Sequence, residues 1–348
     1  MLKIGVIGCG KIAQVRHIPE YADNANCVIT GLFDINAERT QELATKYNAK
    51  AFASYQDLLA DPEIDAVSIC TSNATHAEIA IAALNAKKHV LCEKPMAITL
   101  EECEAMVKAA NENGKYLMIG QNQRLAKAHE VAKDIIATGK LGKVLTFRTT
   151  FGHGGPETWS VDPGKNTWFF DKKKAAMGAM ADLGIHKTDL IQYLLGAKVV
   201  STSAVLTTLD KRDANDNLIG VDDNAICVYT MNNGTIGTMT ASWTYYGAED
   251  NSTVIYGTEG ILRLYDDPEH TVKWIHKDGS VEFVEADKIQ TNDDQTKSGI
   301  IDLFVDCVLE GKEPEISGES VLSAMRAVFA SIESSETGKA VKIEKNME

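Results

Sequence analysis

The sequence lacks the features that define several classes of protein. No apolar run approaches the ~18 residues of a membrane-spanning helix, so no membrane segment is expected. The N-terminal residues lead directly into a short apolar run without the basic and apolar regions of a signal peptide, which favours a cytoplasmic protein. Positive charge is also scarce, because 35 Lys and Arg residues face 49 Asp and Glu residues, for a net charge of −14. Nucleic acids and anionic membranes would be repelled, and neither is expected as a partner.

Patterned cysteine is absent as well. The seven cysteines are odd in number, scattered along the chain and without a C-x-x-C pair. This distribution is typical of reduced, mostly buried thiols that behave as small hydrophobic residues. No zinc-ligand spacing occurs, and we expect no metal site.

The order of apolar runs predicts two domains. A chain of 348 residues is too long for one ordinary core. Strand-like and helix-like segments alternate over residues 1–122, which indicates a Rossmann-type, doubly wound parallel sheet. Residues 123–348 become strand-rich after residue 196, which predicts an α+β substrate-binding and oligomerisation domain with a mostly antiparallel open sheet. We expect a homodimer or homotetramer formed through that sheet.

A glycine-rich turn follows the first predicted strand. Gly8-Cys9-Gly10-Lys11-Ile12-Ala13 has the G-x-G-x-x-A spacing of a turn that brings backbone close to a pyrophosphate at a helix N-terminus. The next strand ends on Asp34, where a carboxylate would bind the ribose hydroxyls of an adenosine. Asp34 would repel a 2′-phosphate, so NAD is favoured over NADP, although Arg39 weakens that preference.

A second candidate position lies in the stretch His89 to Pro95. Its first half is a buried-strand pattern, and Pro95 ends the strand because it has no N–H. Glu93 and Lys94 would therefore lie at the carboxyl end of a parallel strand, where ligands bind in open α/β sheets. The alternative is a solvated ion pair at a strand end.

The second half of the chain contains a candidate acid–base pair. If residues 177–189 are helical, Asp182, His186 and Asp189 fall on one face, and a carboxylate near an imidazole can tune a general base. A buried structural histidine and a metal-binding pair are the alternatives. The long loop 152–170 is typical of a binding loop, with His153, Lys165 and Trp168 as its ligand-facing candidates.

Together these motifs resemble the glucose–fructose oxidoreductase/inositol dehydrogenase family (Gfo/Idh/MocA). The resemblance covers nearly the whole chain and depends on the glycine turn, Asp34, Glu93-Lys94-Pro95, and the stretch from Asp182 to His186. It implies hydride transfer between a nicotinamide and a secondary hydroxyl of a sugar, polyol or inositol. The chain departs from the family at Ala176 and Met177, where many members have glycine, and the bulkier side chains would reshape the substrate pocket there.

The resemblance also implies residue roles. Lys94, Asp182 and His186 are the catalytic candidates: His186 would take the hydroxyl proton, Lys94 would hold the oxygen, and Asp182 would orient His186 or bind the adjacent hydroxyl. The candidate cofactor-binding residues are Gly8, Gly10, Lys11, Ile12, Asp34, Arg39, Thr71, Asn73, His76, Glu93, Lys94 and Asn122. The candidate substrate-binding residues are Lys94, Arg124, His153, Trp168, Asp182 and His186.

Two other function classes stay open on the sequence. One is an NAD-retaining lyase or glycosidase that oxidises a sugar carbon transiently and then returns the hydride. The other is a non-catalytic sugar or dinucleotide sensor, which the joint presence of Lys94, Asp182 and His186 disfavours.

Overall fold

The computed structural model describes residues 1–286 and 297–343. The chain forms two compact units. The first comprises Met1–Asn122, Trp159–Asp162 and Gln290–Leu322, of which 297–322 are described in the last segment. The second comprises Gln123–Thr158, Pro163–Ile289 and Ser323–Glu348, described as far as residues 286 and 343 in its last two segments. The predicted division at residues 122 and 123, as a boundary between independent domains, stays a prediction.

The first unit contains a six-stranded parallel sheet in the order β3-β2-β1-β4-β5-β6. Its strands are β1 Leu2–Ile7, β2 Cys27–Phe33, β3 Lys50–Ala51, β4 Ala66–Ile69, β5 His89–Cys92 and β6 Leu117–Ile119. Its helices are α1 Ile18–Asp23, α2 Ala37–Lys46, α3 Tyr55–Ala60, α4 His76–Asn85, α5 Leu100–Asn113 and, much later in the chain, α10 Ile300–Glu310. This doubly wound arrangement confirms the predicted Rossmann-type fold.

Local chemistry explains where these helices begin and end. Asn36 caps α2 by accepting a hydrogen bond from the Arg39 N–H. Thr99 and Glu102 form a capping box at α5, which then ends at Gly114 in the left-handed conformation. These short-range signals are readable in the sequence.

Helix α10 groups with the first unit although it lies late in the sequence. The sequence pattern places all of residues 123–348 in one domain, whereas α10 packs with the first unit. The Asn24 side chain, at the end of α1, donates to Asp302 over 2.7 Å, and the Ser298 N–H donates to Glu20 over 2.9 Å. An amphipathic pattern identifies a buried face but not the surface that the face packs against.

The second unit contains a nine-stranded sheet in the order β14-β13-β12-β11-β7-β10-β9-β8-β15. Among the strands of the described residues, only β7 and β10 of this sheet pair in parallel, so the predicted, mostly antiparallel sheet is confirmed. The strands are β7 Val144–Gly152, β8 Val199–Thr207, β9 Asn224–Met231, β10 Ile236–Ser242, β11 Thr253–Gly257, β12 Gly260–Leu264, β13 Val272–His276, β14 Val281–Val284 and β15 Val341–Lys342. The helices are α6 Lys127–Ala137, α7 Pro156–Trp159, α8 Lys172–Ala175, α9 Ile185–Leu195 and α11 Gly318–Thr337, although Trp159 and residues 318–322 group with the first unit.

The central strands of this sheet have two different faces. Along β9 burial alternates strictly, with Cys227 and Tyr229 in the core and Ile226 and Val228 about half exposed. Trp243, just beyond β10, is fully buried. One face of the sheet therefore packs on helices of its own unit, while the outer face leaves apolar side chains exposed.

Candidate active site

The glycine turn has the geometry that a dinucleotide phosphate requires. Gly8 has φ +92°, and a Cβ there would lie 2.6 Å from the main-chain carbonyl of Cys70, so glycine is required. A Cβ on Gly10 would meet nothing within 4 Å, which means that the backbone at Gly10 faces open space. Lys11 and Ile12 follow as half-buried residues at the start of the helical segment. The turn thus fits the close approach of a pyrophosphate to main-chain N–H groups.

The Asp34 carboxylate lies beside this turn. It accepts hydrogen bonds from the main-chain N–H of Cys9 at 2.7 Å and of Asn36 at 2.8 Å. Arg39 places one guanidinium nitrogen 3.7 Å from Asp34 and another 2.9 Å from Asp162. Because Arg39 is held between two carboxylates, a 2′-phosphate would have to compete with both of them.

The loop after β4 brings three predicted cofactor residues to the same edge of the sheet. Asn73 and His76 are buried and Thr71 is half-buried. The His76 ring nitrogens lie 2.8 Å from the Pro95 carbonyl and 3.2 Å from the Thr71 carbonyl, and burial lowers the pKa of His76. His76 therefore joins this loop to the segment after β5, and its direct contact with a cofactor stays a prediction. Asn122, also buried, begins a short 3₁₀ turn after β6.

Glu93 is more deeply enclosed than the sequence suggested. It is only 4% exposed, and its Oε1 atom lies 2.8 Å from His17 Nε2 and 3.9 Å from an Arg16 guanidinium nitrogen. Its Oε2 atom accepts the main-chain N–H of Lys94 at 3.1 Å. Burial would raise the pKa of Glu93, but the hydrogen bond from His17 and the neighbouring positive charges lower it to about 2.

Sequence reasoning missed Arg16 and His17. Both lie on the π-helical turn Ala13–His17 that leads from the glycine motif into α1. The sequence signal for both residues was their position shortly after the glycine motif. A helix that starts at a phosphate-binding turn carries its first residues past the ends of the neighbouring strands. Lys94 itself is half-buried, so part of its side chain is accessible to a ligand.

In the second unit, Asp182 and His186 lie on a widened helix. Residues Met180–Gly184 form a π-helical turn that continues into α9. Asp222 fixes the entry to this turn, because its carboxylate accepts the main-chain N–H groups of Gly178 at 2.7 Å and Met180 at 2.8 Å. A Cβ on Gly178 would lie 1.8 Å from the Asp222 carbonyl oxygen, so this glycine is required.

The departure at Ala176 is accommodated with backbone strain. Ala176 has φ +63°, a left-handed conformation that favours glycine. The alanine therefore retains a glycine-like backbone conformation at that position. The residue that changes the local side-chain volume most is Met177, whose side chain is buried.

An aromatic cluster contacts the Asp182 carboxylate through Trp243. Asp182 is buried and accepts the indole N–H of Trp243 at 3.0 Å. Phe169 and Phe170 lie against the Trp243 ring, with centroids 6.4 and 6.0 Å away, and Trp168 stacks on Phe169 at 3.9 Å. The predicted loop residue Trp168 is thus linked to Asp182 through Phe169 and Trp243. Trp243 itself was not among the predicted residues, because a tryptophan near a strand end is usually a buried core residue without a direct role in a site.

His186 and His153 share one aromatic neighbour. The Phe151 ring centroid lies 6.1 Å from that of His186 and 5.7 Å from that of His153. His186 is 6% exposed, whereas His153 is half-buried and accepts the Gly155 N–H at its Nδ1 atom over 3.1 Å. The second unit therefore brings these two predicted residues to the same aromatic cluster.

Arg124 and Asp189 make a pair that the sequence did not predict. The Arg124 guanidinium donates to both carboxylate oxygens of Asp189, at 2.7 and 2.5 Å, and both residues are buried. Asp189 was expected on one face with Asp182 and His186, but it serves instead as the counter-charge of Arg124. A bidentate buried pair of this kind is a structural contact first, and a substrate contact by Arg124 stays a prediction.

The lysines of the binding loop are surface residues. Lys165 is exposed and pairs with exposed Asp216 at 3.3 Å. The triplet Lys172–Lys174 is exposed on α8. The structure thus places these charges on solvated faces of the second unit.

A buried lysine next to His186 was also missed. Lys187 is fully buried and donates to the Asn251 carbonyl at 2.8 Å. Burial lowers the pKa of Lys187 to about 7, against the opposing effect of Asp250 and Glu249. The sequence gives no sign of this burial, because lysine is rarely enclosed.

Three predicted absences can be compared with the described residues. All seven cysteines are buried and unpaired with one another, which confirms the predicted burial, and their reduced state stays a prediction. Within residues 1–286 and 297–343, no three His, Cys, Asp or Glu side chains are grouped as metal ligands, and the absence of a metal stays a prediction. No helix in the same part of the chain is long and apolar enough to cross a membrane.

Comparison with known families identifies both halves of the chain. Residues 2–121 match the model for an oxidoreductase family with an NAD-binding Rossmann fold, GFO/IDH/MocA. Residues 129–263 match the model for the GFO/IDH/MocA C-terminal domain.

Individual relatives agree with these matches. The chain is 33% identical over 287 residues to levoglucosan dehydrogenase of Pseudarthrobacter phenanthrenivorans, covering 75% of this chain and 73% of the relative. It is 27% identical over 346 residues to myo-inositol 2-dehydrogenase of Thermotoga maritima, covering 99% of each. A solved structure of levoglucosan dehydrogenase in complex with NADH and L-sorbose superposes with a TM-score of 0.87 at 26% identity, over 99% of both chains.

Proposed function

Since the chain belongs to the GFO/IDH/MocA oxidoreductase family, we propose that it is an NAD-dependent dehydrogenase acting on a secondary hydroxyl of a sugar, polyol or inositol. The observation that carries this proposal is the retention of Lys94, Asp182 and His186 together with an open glycine turn. The relatives named above are dehydrogenases, which favours net oxidation over the internal-redox lyase and the sensor.

The first unit would hold the cofactor at the carboxyl edge of its sheet. The main-chain N–H groups after Gly10 would bind the pyrophosphate, and the Asp34 carboxylate would accept the adenosine ribose hydroxyls. Thr71, Asn73, Glu93 and Asn122 stay our candidates for the nicotinamide half. The chemistry supplied by bound NAD is acceptance of a hydride from the substrate carbon.

The chain's own residues would manage the proton and the developing charge. The Lys94 ammonium would donate to the reacting oxygen and stabilise negative charge there. The His186 imidazole would take the hydroxyl proton. Asp182, held by the Trp243 N–H, would bind the imidazole or an adjacent hydroxyl in a fixed orientation.

A neutral substrate with several hydroxyl groups fits the charges of the second unit. Arg124 is paired with Asp189, and Lys165 and Lys172–Lys174 lie on solvated faces. His153 and Trp168 stay our candidates for contacts to the sugar. None of these cations forms the convergent cluster that a sugar phosphate would need.

The test is NADH formation by the purified protein across a panel of inositols, aldoses, anhydrosugars and glycosides. We expect NADH to accumulate with at least one neutral polyol and to exceed NADPH formation. Silence across the panel with NAD retained in the purified protein would favour the lyase or glycosidase instead. Silence with no nicotinamide binding would favour the sensor.

We further propose self-association through the outer face of the second unit's sheet. Val205, Ile226, Val228 and Ile236 are each at least half exposed there, in adjacent strands. Burying such a face against a second copy is favourable by the ordinary hydrophobic effect. Light scattering should show a dimer or tetramer, and Ile226→Glu should shift it towards the monomer; a monomeric wild-type protein would overturn the proposal.

A further inference from the structure

Four buried polar side chains form a hydrogen-bonded network in the core of the first unit. The Tyr21 hydroxyl lies 2.7 Å from Ser68 Oγ, and Ser68 Oγ lies 3.1 Å from His17 Nδ1. His17 Nε2 lies 2.8 Å from Glu93 Oε1. Tyr21, Ser68 and His17 are fully buried, and Glu93 is 4% exposed. Burying a polar group costs free energy unless the group has a hydrogen-bond partner. Four buried polar groups that pair with one another therefore indicate a specific role.

The contact between His17 and Glu93 has one direction. The pKa of Glu93 is lowered to about 2, and an ionised carboxylate can only accept, so the His17 Nε2 atom must carry a proton and donate it to Glu93. Ser68 Oγ lies at Nδ1 on the other side of the imidazole, and the Tyr21 hydroxyl lies beyond Ser68; a hydroxyl can donate or accept in either contact. Burial raises the pKa of Tyr21 well above its ordinary value, so its hydroxyl keeps its proton. His17 therefore donates to Glu93 while Ser68 and Tyr21 hold the far side of the ring.

The hydrogen-bonded network extends from the Glu93 side chain to the backbone of Lys94. Glu93 Oε1 is held by His17, while Glu93 Oε2 accepts the Lys94 N–H at 3.1 Å. A Cβ on Gly120 would lie 3.1 Å from the carboxyl atoms, so the absence of a side chain at Gly120 makes room for the Glu93 carboxylate. The orientation of this carboxylate thus depends on His17 on one side and fixes the Lys94 peptide on the other.

We propose that His17, supported by Ser68 and Tyr21, is a positioning residue that holds the Glu93 carboxylate and through it the backbone of Lys94. The effect on turnover depends on the proposed function, in which the Lys94 ammonium touches the reacting oxygen. Misplacement of that ammonium would lower kcat, whereas the glycine turn and Asp34, which hold the other half of the cofactor, are untouched.

Two substitutions at one position separate positioning from packing. His17→Gln keeps an N–H donor that can reach Glu93, and His17→Met fills similar volume without one. We expect His17→Met to lower kcat about tenfold or more, the loss of one hydrogen bond to a charged group, with the NAD dissociation constant within about threefold. His17→Gln should recover most of kcat. Tyr21→Phe removes only the hydroxyl that contacts Ser68, the group farthest from Glu93, and should have the smallest effect of the three.

The geometry can be tested without any substrate. Lysine-selective ¹⁵N labelling resolves the Lys94 amide, assigned by its loss in Lys94→Arg, and its hydrogen exchange reports the bond to Glu93. Exchange should be faster in His17→Met and near the wild-type rate in His17→Gln. Should no polyol support turnover in the wild-type protein, the proposed function fails while this measurement still decides the role of His17.

Two outcomes would overturn the inference. One is an unchanged Lys94 exchange rate and unchanged kcat in His17→Met, with only the melting temperature lowered. The other is equal loss in His17→Gln and His17→Met, which would mean that the donor is irrelevant. If His17→Met does not fold, Ser68→Ala, which removes the hydroxyl at His17 Nδ1, replaces it and should give the same changes at smaller size.

Discussion

The two units place their candidate catalytic residues by different means. In the first unit, Glu93 and Lys94 stand directly after β5, and their position follows from where the strand ends. In the second unit, Asp182 lies on a π-helical turn and His186 lies just beyond it, at the start of α9. Asp222 and Trp243 hold that turn from distant parts of the sequence.

The difference shows which parts of a site depend on local contacts and which depend on contacts between residues far apart in the sequence. The main-chain position of a strand end follows from its own sequence and its neighbours in the sheet, whereas the Glu93 side chain is held by His17, 76 residues away. A widened helical turn needs partners about forty and sixty residues away. We expect the second site to respond to substitutions at residues that never touch the substrate, and the following predictions test that contrast.

Replacing His186 should have the largest effect. His186→Ala removes the proposed general base, a contribution of about 10²–10⁴-fold to turnover. We expect kcat to fall by that order and the pH dependence of kcat/KM to lose its acidic limb. A variant with near wild-type turnover and the same pH profile would remove His186 from the mechanism.

Replacing Lys94 should cost nearly as much. Lys94→Ala removes the proposed donor to the reacting oxygen, which is worth about 10²–10³-fold. NAD affinity, measured by fluorescence titration, should change little, because the glycine turn and Asp34 are unaltered. The double variant Lys94→Ala/His186→Ala should fall by less than the product of the single effects if both residues serve one step.

Asp34 tests the cofactor end of the first unit. Asp34→Ala removes the ribose acceptor and the charge that repels a 2′-phosphate, so the preference for NAD over NADP should fall by about tenfold or more. Arg39 would then be free of one carboxylate and able to pair with the phosphate. An unchanged ratio of kcat/KM for the two cofactors would mean that Asp34 is not the ribose ligand.

Trp243 tests whether the second site depends on distant support. Trp243→Phe keeps the ring but removes the N–H that Asp182 accepts, and we expect kcat to fall about tenfold. The matched control is Trp274→Phe in β13, away from Asp182, which should leave kcat within about twofold of wild type. Equal effects of the two substitutions would contradict a specific role for the Trp243 hydrogen bond.

Lys187 should give the smallest effect, on stability rather than turnover. Its pKa is lowered from 10.5 to about 7 in the folded protein. Between these values the unfolded chain binds more protons, so this group makes the free energy of unfolding rise as pH rises above 7. Urea denaturation at pH 7 and 9 should show wild type gaining stability relative to Lys187→Met. Parallel changes in the two proteins would mean that folding does not lower the pKa of this lysine.

Part of the site could be read before the fold was known. The glycine turn, Asp34 and the capped helices are contiguous signals, each decided within a few residues by backbone sterics and hydrogen bonding. Lys94 could be placed because a parallel strand brings its carboxyl end to the ligand edge. The resemblance to a family then gave roles to Asp182 and His186 that spacing alone left open.

The sequence by itself determined the parallel and antiparallel halves, the phosphate-binding turn and the stretch that carries Glu93 and Lys94. Only the tertiary structure decided that Asp189 neutralises Arg124, that α10 belongs to the first unit, that Lys187 is enclosed, and that Trp243 and His17 hold the two candidate carboxylates. Each of these depends on contacts between residues far apart in the chain. Periodicity and spacing report which side of an element is apolar, but the partner of a buried charge is set by packing in three dimensions.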